Sequence, residues 1–187
     1  PPRSTLFPYT TLFRSELSES PAVKSAVSEA SQRLSVMGRI YERLYGDENF
    51  LEVAVLPLAR KVVDDLYELG KLPAGVIDLA ADDFKVPTKL SVSLGIILNE
   101  LLTNAMKYST GSTKPMHIDV SIRYTPDIKS VELTVSDDGP GIPADVIDGS
   151  RRGYGLTIVD ALVKQHHGTL TMRNDAGSVI RVMLQVR

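Results

Sequence analysis

Three short stretches of this 187-residue chain combine residue types and spacings that could do chemistry. The first is LSVSLGIILNELLTNAMKYS, in which Glu100, Asn104 and Lys107 recur at i, i+4 and i+7. On a helix they form one row. The carboxylate could accept a proton or orient a water. The carboxamide oxygen could ligate Mg²⁺, a hard cation that prefers oxygen, and the ammonium could sit against phosphate. The second stretch is Asp137-Asp138-Gly139-Pro140-Gly141-Ile142, which follows the alternating Val131, Leu133 and Val135. An acid at a strand end followed by Gly-x-Gly lets backbone approach a flat ligand closely. There the Asp137 carboxylate could accept from an exocyclic amine such as that of adenine. The third is Gly153-Tyr154-Gly155-Leu156 at the start of an amphipathic segment, with Arg151 and Arg152 just upstream. Free N–H groups and the helix dipole make such a start an anion site.

Each stretch alone also has a bland reading: a solvated helix face, a common Asp-Gly-Pro-Gly turn, a glycine-rich helix start. No GxxxxGK[ST] loop occurs, and the glycines are split across two loops, unlike a dinucleotide fingerprint.

The elements that must position these residues follow from periodicity. Leu90, Leu94, Leu98, Leu101 and Ala105 give a helix from about Thr88 to Ser109 its core stripe. Two strands are expected at Met116–Tyr124 and Ser130–Ser136, joined by Thr125-Pro126-Asp127. A helix from about Gly155 to His167 follows, its core face carrying Leu156, Val159 and Val163. A hairpin then spans Gly168–Arg173 and Ser178–Val186, turning at Asn174–Gly177. Upstream, Pro57 suits the first turn of a helix striped by Leu58, Val62, Leu66 and Leu69 and ended by Gly70. A strand is expected at Val76–Ala80, and Asp82, Asp83 and Pro87 mark a loop. Helices segregated on one face of a mixed or antiparallel sheet, an α+β two-layer sandwich, is the architecture this order favours.

Residues 20–45 read as a further helix. Val23, Val27, Ala30, Leu34, Met37, Tyr41 and Leu44 are spaced 4, 3, 4, 3, 4, 3, the heptad pattern of a coiled coil or helix bundle. So narrow a seam needs partner helices. Residues 1–15, PPRSTLFPYTTLFRS, show neither helical nor strand periodicity, and they resemble translated sequencing-adapter read-through. The chain begins with Pro1, as a fragment or processed product would.

Composition narrows the classes. With 43% hydrophobic residues there is enough for a core, so wholesale disorder is excluded. The charge sum of 21 − 23 = −2 argues against nucleic acid as the main partner. No run reaches the length of a membrane helix. The absence of cysteine excludes disulfides and thiolate metal sites, and fits a reducing cytoplasm.

The three stretches occur in one order: E-x-x-x-N on a helix, D-x-G-x-G after a strand, G-x-G-L opening a helix. Together they resemble the N, G1 and G2 boxes of the Bergerat ATP-binding fold, over about residues 50–187. LNELLTNAMKYS, VSDDGPGIP, GYGLTIVDALVKQHHGTL and AGSVIRVMLQV look most like the catalytic domain of bacterial sensor histidine kinases. The Glu that begins the N box and the compact lid are similar to the HWE-like subfamily. Residues 16–48, with RLSVMGRIYERLY, look like the second helix of its dimerisation and phosphotransfer hairpin, leaving 49–187 as the catalytic domain.

The resemblance implies that Asn104 holds Mg²⁺ and Asp137 reads the adenine amine. Gly139 and Gly141 would form the pocket floor, Lys107, Gly153 and Gly155 would face the phosphates, Ser178 would back the adenine pocket through water, and Ile142 and Leu156 would also bind the nucleotide. Glu100 would sit by the γ-phosphate as base or orienting group. The implied partners are ATP, a response-regulator receiver domain and a second copy of the full-length protein.

Two departures stand out. The family's phosphoacceptor histidine lies on the first hairpin helix, yet no histidine precedes His117, which falls in an expected strand. His166 and His167 end a helix, where histidine commonly caps. The lid, residues 142–152, has no aromatic box and is expected to order with nucleotide. A serine kinase of the anti-sigma-factor type and a nucleotide-binding or dimerisation module without kinase activity are the alternatives.

Overall fold

The architecture is that of a computed structural model, which describes residues 52–68, 76–108 and 116–187; these all lie in one compact unit, Arg43–Arg187. The expected tail at 1–15 and the heptad helix at 20–45 lie outside the described residues, as do Leu69 and Gly70.

The order is β1 (Glu52–Ala54), α1 (Val55–Glu68), β2 (Ile77–Ala81), β3 (Lys85–Pro87), α2 (Thr88–Tyr108), β4 (Ile118–Thr125) and β5 (Ser130–Asp137). Then follow α3 (Ala144–Ile147), α4 (Tyr154–Gln165), β6 (Thr169–Asn174) and β7 (Ser178–Gln185). The main sheet has five strands in the order β2-β4-β5-β7-β6. β2 pairs with β4 in parallel and every other pairing is antiparallel. The alternation of β4, β5 and β7 decides their faces. Ile118, Val120, Ile122, Val131, Leu133, Val135, Ile180, Val182 and Leu184 point into the core. Asp119, Arg123 and Arg181 point to water.

α2 crosses the covered face of the sheet and packs against β5, α1 and α4. Twelve of its 21 residues are buried, so it is the central helix of its layer. The stripe Leu90, Leu94, Leu98, Leu101 and Ala105 is buried as expected. Two of its hydroxyls lie inside as well: Ser91 Oγ donates to Thr88 O at 2.8 Å and Ser93 Oγ to Lys89 O at 3.3 Å. The result is an α+β two-layer sandwich, as the order of elements leads one to expect.

Three local details differ from expectation. β1 and β3 form a two-stranded antiparallel sheet, so Pro87 ends a strand instead of lying in a loop. Each is only three residues long, too short for periodicity to register. The pairing continues into α1, where the Val55 N–H, an orphan donor of the helix start, reaches Phe84 O at 3.0 Å. The α1 stripe is Val55, Ala59, Val62, Val63 and Leu66, rotated so that Leu58 stays partly exposed. His117 precedes β4 instead of lying within it.

Candidate functional site

β5 delivers Asp137 to the sheet end, between Ile118 of β4 and Ser178 of β7. Its carboxylate is held from two sides. Oδ1 accepts the Gly139 N–H at 2.9 Å, and Oδ2 accepts the Ser178 hydroxyl. Ser178 therefore contacts Asp137 directly. Gly177 makes this approach possible: a Cβ there would lie 1.8 Å from the Asp137 carbonyl oxygen. The neighbouring acid is committed elsewhere. Asp138 Oδ1 accepts the His117 N–H at 3.0 Å, which ties the loop to the start of β4.

The loop then turns at Gly141, whose φ of +86° lies in the region that favours glycine. A Cβ there would meet Asn174 Oδ1 at 2.9 Å. Asn174, at the end of β6, grips the next residue in both directions. Its Oδ1 accepts the Ile142 N–H at 2.7 Å and its Nδ2 donates to Ile142 O at 3.0 Å. By sequence Asn174 belongs only to a hairpin turn. Nothing in the sequence joins it to Ile142, 32 residues away.

Glu100, Asn104 and Lys107 run along α2 from inside to outside. Glu100 has no solvent exposure, Asn104 is half-buried and Lys107 is exposed. A plain solvated helix face would not bury its carboxylate, because withdrawing a charge from water is costly unless compensated.

Beyond Ile142 the chain forms the short helix α3, then a loop stitched by charge. Arg151 Nε lies 2.8 Å from Asp145 Oδ2, and the Ser150 hydroxyl donates to Asp148 at 2.6 Å. These serine bonds hold the Asp148 carboxyl below its ordinary value. Arg152 Nη1 lies 3.2 Å from Asp160 Oδ1 on α4.

Gly153 is the N-cap of α4, with no side-chain cap and no acidic residue in the first turn. The positive end of the helix dipole is thus not neutralised by an acid of its own first turn. The space where a Gly153 Cβ would lie is open to 4 Å. Gly155 is buried and Leu156 half-buried one turn along.

The histidines stand apart from this constellation. His166 is the C-cap of α4, and its Nε2 pairs with Ser93 Oγ of α2 at 2.8 Å. Burial pushes its imidazole below the ordinary value, with help from the nearby Lys89 and His167 charges. His117 Nε2 lies 3.6 Å from Asp78 and 3.4 Å from Asp119, ion pairs when the ring is protonated.

The structure therefore brings Asp137, Gly139, Gly141, Ile142 and Ser178 into one corner. It leaves Glu100, Asn104 and Lys107 on α2, and Gly153, Gly155 and Leu156 at the start of α4, which packs on α2. The chemistry of the set is an oriented carboxylate, a glycine-lined turn, a carboxamide oxygen and an uncapped helix start.

The chain is 34% identical to the sensor histidine kinase TrcS of Mycobacterium tuberculosis, over 47% of this chain and 20% of that protein. It is 28% identical to the adaptive-response sensory kinase SasA of Synechococcus elongatus, over 88% of this chain and 43% of that protein. It spans about half, or less, of the length of these and the other curated relatives that head the comparison. Among solved structures, the blue-light activated histidine kinase of Erythrobacter litoralis superposes with a TM-score of 0.74 at 20% identity, covering 90% of this chain and 52% of that one. The mycobacterial sensor histidine kinase MprB superposes with a TM-score of 0.57 at 24% identity, covering 73% and 97%. Those two likenesses concern the fold. A family model matches residues 90–187, more than half of the chain and the stretch that holds every site residue named above. The chain belongs to the histidine kinase-, DNA gyrase B- and HSP90-like ATPase family.

Proposed function

We propose that the chain is the ATP-binding catalytic part of a sensor histidine kinase, with residues 49–187 as the catalytic domain. The observation that carries the reading is the Asp137 carboxylate, fixed by the Gly139 N–H and the Ser178 hydroxyl at the end of β5. A carboxylate held in one orientation accepts from an exocyclic amine without first losing rotamer freedom. Gly139, Gly141 and Ile142 form the turn on which the adenine ring lies. The N–H groups at the start of α4, from Gly153 to Leu156, face the phosphates, with Lys107 adding a cation.

Asn104 offers the hard carboxamide oxygen that Mg²⁺ accepts alongside substrate phosphates, so the residues present fit that ion. When bound, Mg²⁺ neutralises charge on the phosphate oxygens. Glu100 serves beside the γ-phosphate as orienting group or base. The γ-phosphoryl passes to a histidine nitrogen as its bond to ADP breaks, and from there to a response-regulator aspartate. The acceptor is a histidine of a hairpin helix other than the segment at 16–48, which holds none, and the protein acts as a homodimer through that heptad segment. Support for the HWE-like branch comes from the Glu that opens the N box and the short lid.

Two measurements test this. The chain binds ATP in the presence of Mg²⁺ by calorimetry and incorporates no label from γ-labelled ATP. Asp137→Asn weakens binding about 10- to 100-fold, because it replaces the charged acceptor with a carboxamide. Unchanged affinity in that variant overturns the site, and self-labelling of the chain overturns the placement of the acceptor.

A further inference from the structure

Arg151 and Arg152 are both paired with aspartates, but in different ways. Arg151 is bound to Asp145 of the adjoining short helix α3 and is 70% exposed. Arg152 instead ties the loop to α4. Its Nη1 lies 3.2 Å from Asp160 Oδ1, and its side chain is only 28% exposed.

Arg152 is held incompletely in this position. Its Nε is buried and has no hydrogen-bond partner among the described residues. A buried donor left unsatisfied loses its hydration and gains nothing for it. Asp160 is the opposite case. Its Oδ2 lies 2.7 Å from Lys164 Nζ, one turn along the helix. That bond, with the Arg152 and Lys164 charges, keeps its carboxyl below the ordinary value despite some burial. Asp160 therefore keeps a cationic partner when Arg152 leaves, while Arg152 has a donor to satisfy by leaving.

Glycines flank Arg152 on both sides of the loop. Gly149, at φ +84°, backs the guanidinium, which lies 3.4 Å from where its Cβ would be. Gly153 closes the segment on the other side and opens the helix whose N–H groups face the proposed phosphates. Arg152 is the residue next to that helix start, and a polyphosphate offers a guanidinium more acceptors than Asp160 does.

We infer that Asp160 is a positioning residue for the phosphate end of this site: it parks Arg152 against α4 and sets the cost of moving that guanidinium onto the polyphosphate of a bound nucleotide. The inference rests on the nucleotide reading above. Arg152 gives the site preference for ATP over adenosine, and Asp160 tunes that preference without touching the ligand.

Calorimetry of the whole chain with Mg²⁺ and ATP, ADP or adenosine tests it. Asp160→Asn raises ATP affinity about two- to five-fold, the scale of a partly exposed ion pair, and leaves adenosine unchanged. Arg152→Ala lowers ATP affinity about ten-fold and leaves adenosine unchanged. Added to Arg152→Ala, Asp160→Asn gives no gain, and Asp160→Glu restores the unmodified value. Arg152→Gln replaces Arg152→Ala if thermal melting shows the latter misfolded. A gain that survives in the double variant, equal shifts for ATP and adenosine, or no change with Asp160→Asn each overturn the inference. Failure of the unmodified chain to bind any of the three overturns the nucleotide site, and this inference with it. Normal ATP binding without the variant pattern overturns this inference alone.

Discussion

Asn174 pairs with the backbone of Ile142 as a strand would, donating to the carbonyl and accepting from the N–H. One side chain thereby replaces a rung of sheet and fixes the turn after Gly141. Asn174→Ala removes both bonds. The expected cost is about 1–2 kcal/mol of stability, small because the pair is solvent-exposed, by urea denaturation. Nucleotide affinity is expected to fall further, about three- to ten-fold by calorimetry, because the floor of the pocket must be ordered on binding. Asn174→Asp keeps the acceptor, loses the donor and falls between the two. Equal affinity in all three proteins would show that the loop is held by its glycines and proline alone.

Between elements, the contact of α4 with α2 contains a titratable bond. His166 Nε2 meets Ser93 Oγ at 2.8 Å where the end of α4 passes α2. Burial, then Lys89 and His167, push its imidazole below the ordinary value of 6.5. The folded state thus binds this proton less readily than the unfolded chain. The contribution is fully present above about 6.5 and is lost as pH falls from there through the lowered folded value. The urea midpoint is expected to drop on acidification below about 6.5, more steeply in the unmodified protein than in His166→Gln. A slope unaltered by the substitution would assign the acid sensitivity to other groups.

Across the described residues, a helical layer covers one face of a mixed sheet, and α2 packs on both that sheet and its neighbouring helices. Leu98 is 1% exposed on that helix. Leu98→Ala is expected to cost about 2–5 kcal/mol, read as a shifted urea midpoint, since the cavity cannot collapse between two packed layers. Against a typical total of about 5–15 kcal/mol this is a large share, so nucleotide binding should weaken at 37 °C and recover on cooling. No helix among the described residues is long and apolar enough to cross a membrane.

Much of this was legible in the residues. The buried stripe of α2, the alternation of β4, β5 and β7, and the positions of Asp137 and Gly153 follow from local period and local turn chemistry, which a sequence carries in full. The brief β1–β3 pairing was not legible, because three residues hold no period. The rotation of the α1 stripe and the burial of Glu100 were hidden too, since which side of a helix is covered depends on what lands there. Asn174 on Ile142 and Arg152 on Asp160 were equally out of reach, the first pair 32 residues apart and the second split between a loop and a helix. The sequence by itself determined the longer elements and their order. Only the tertiary structure decided which partners lock Asp137, what grips its loop and what restrains Arg152, because those contacts join residues that no local pattern relates.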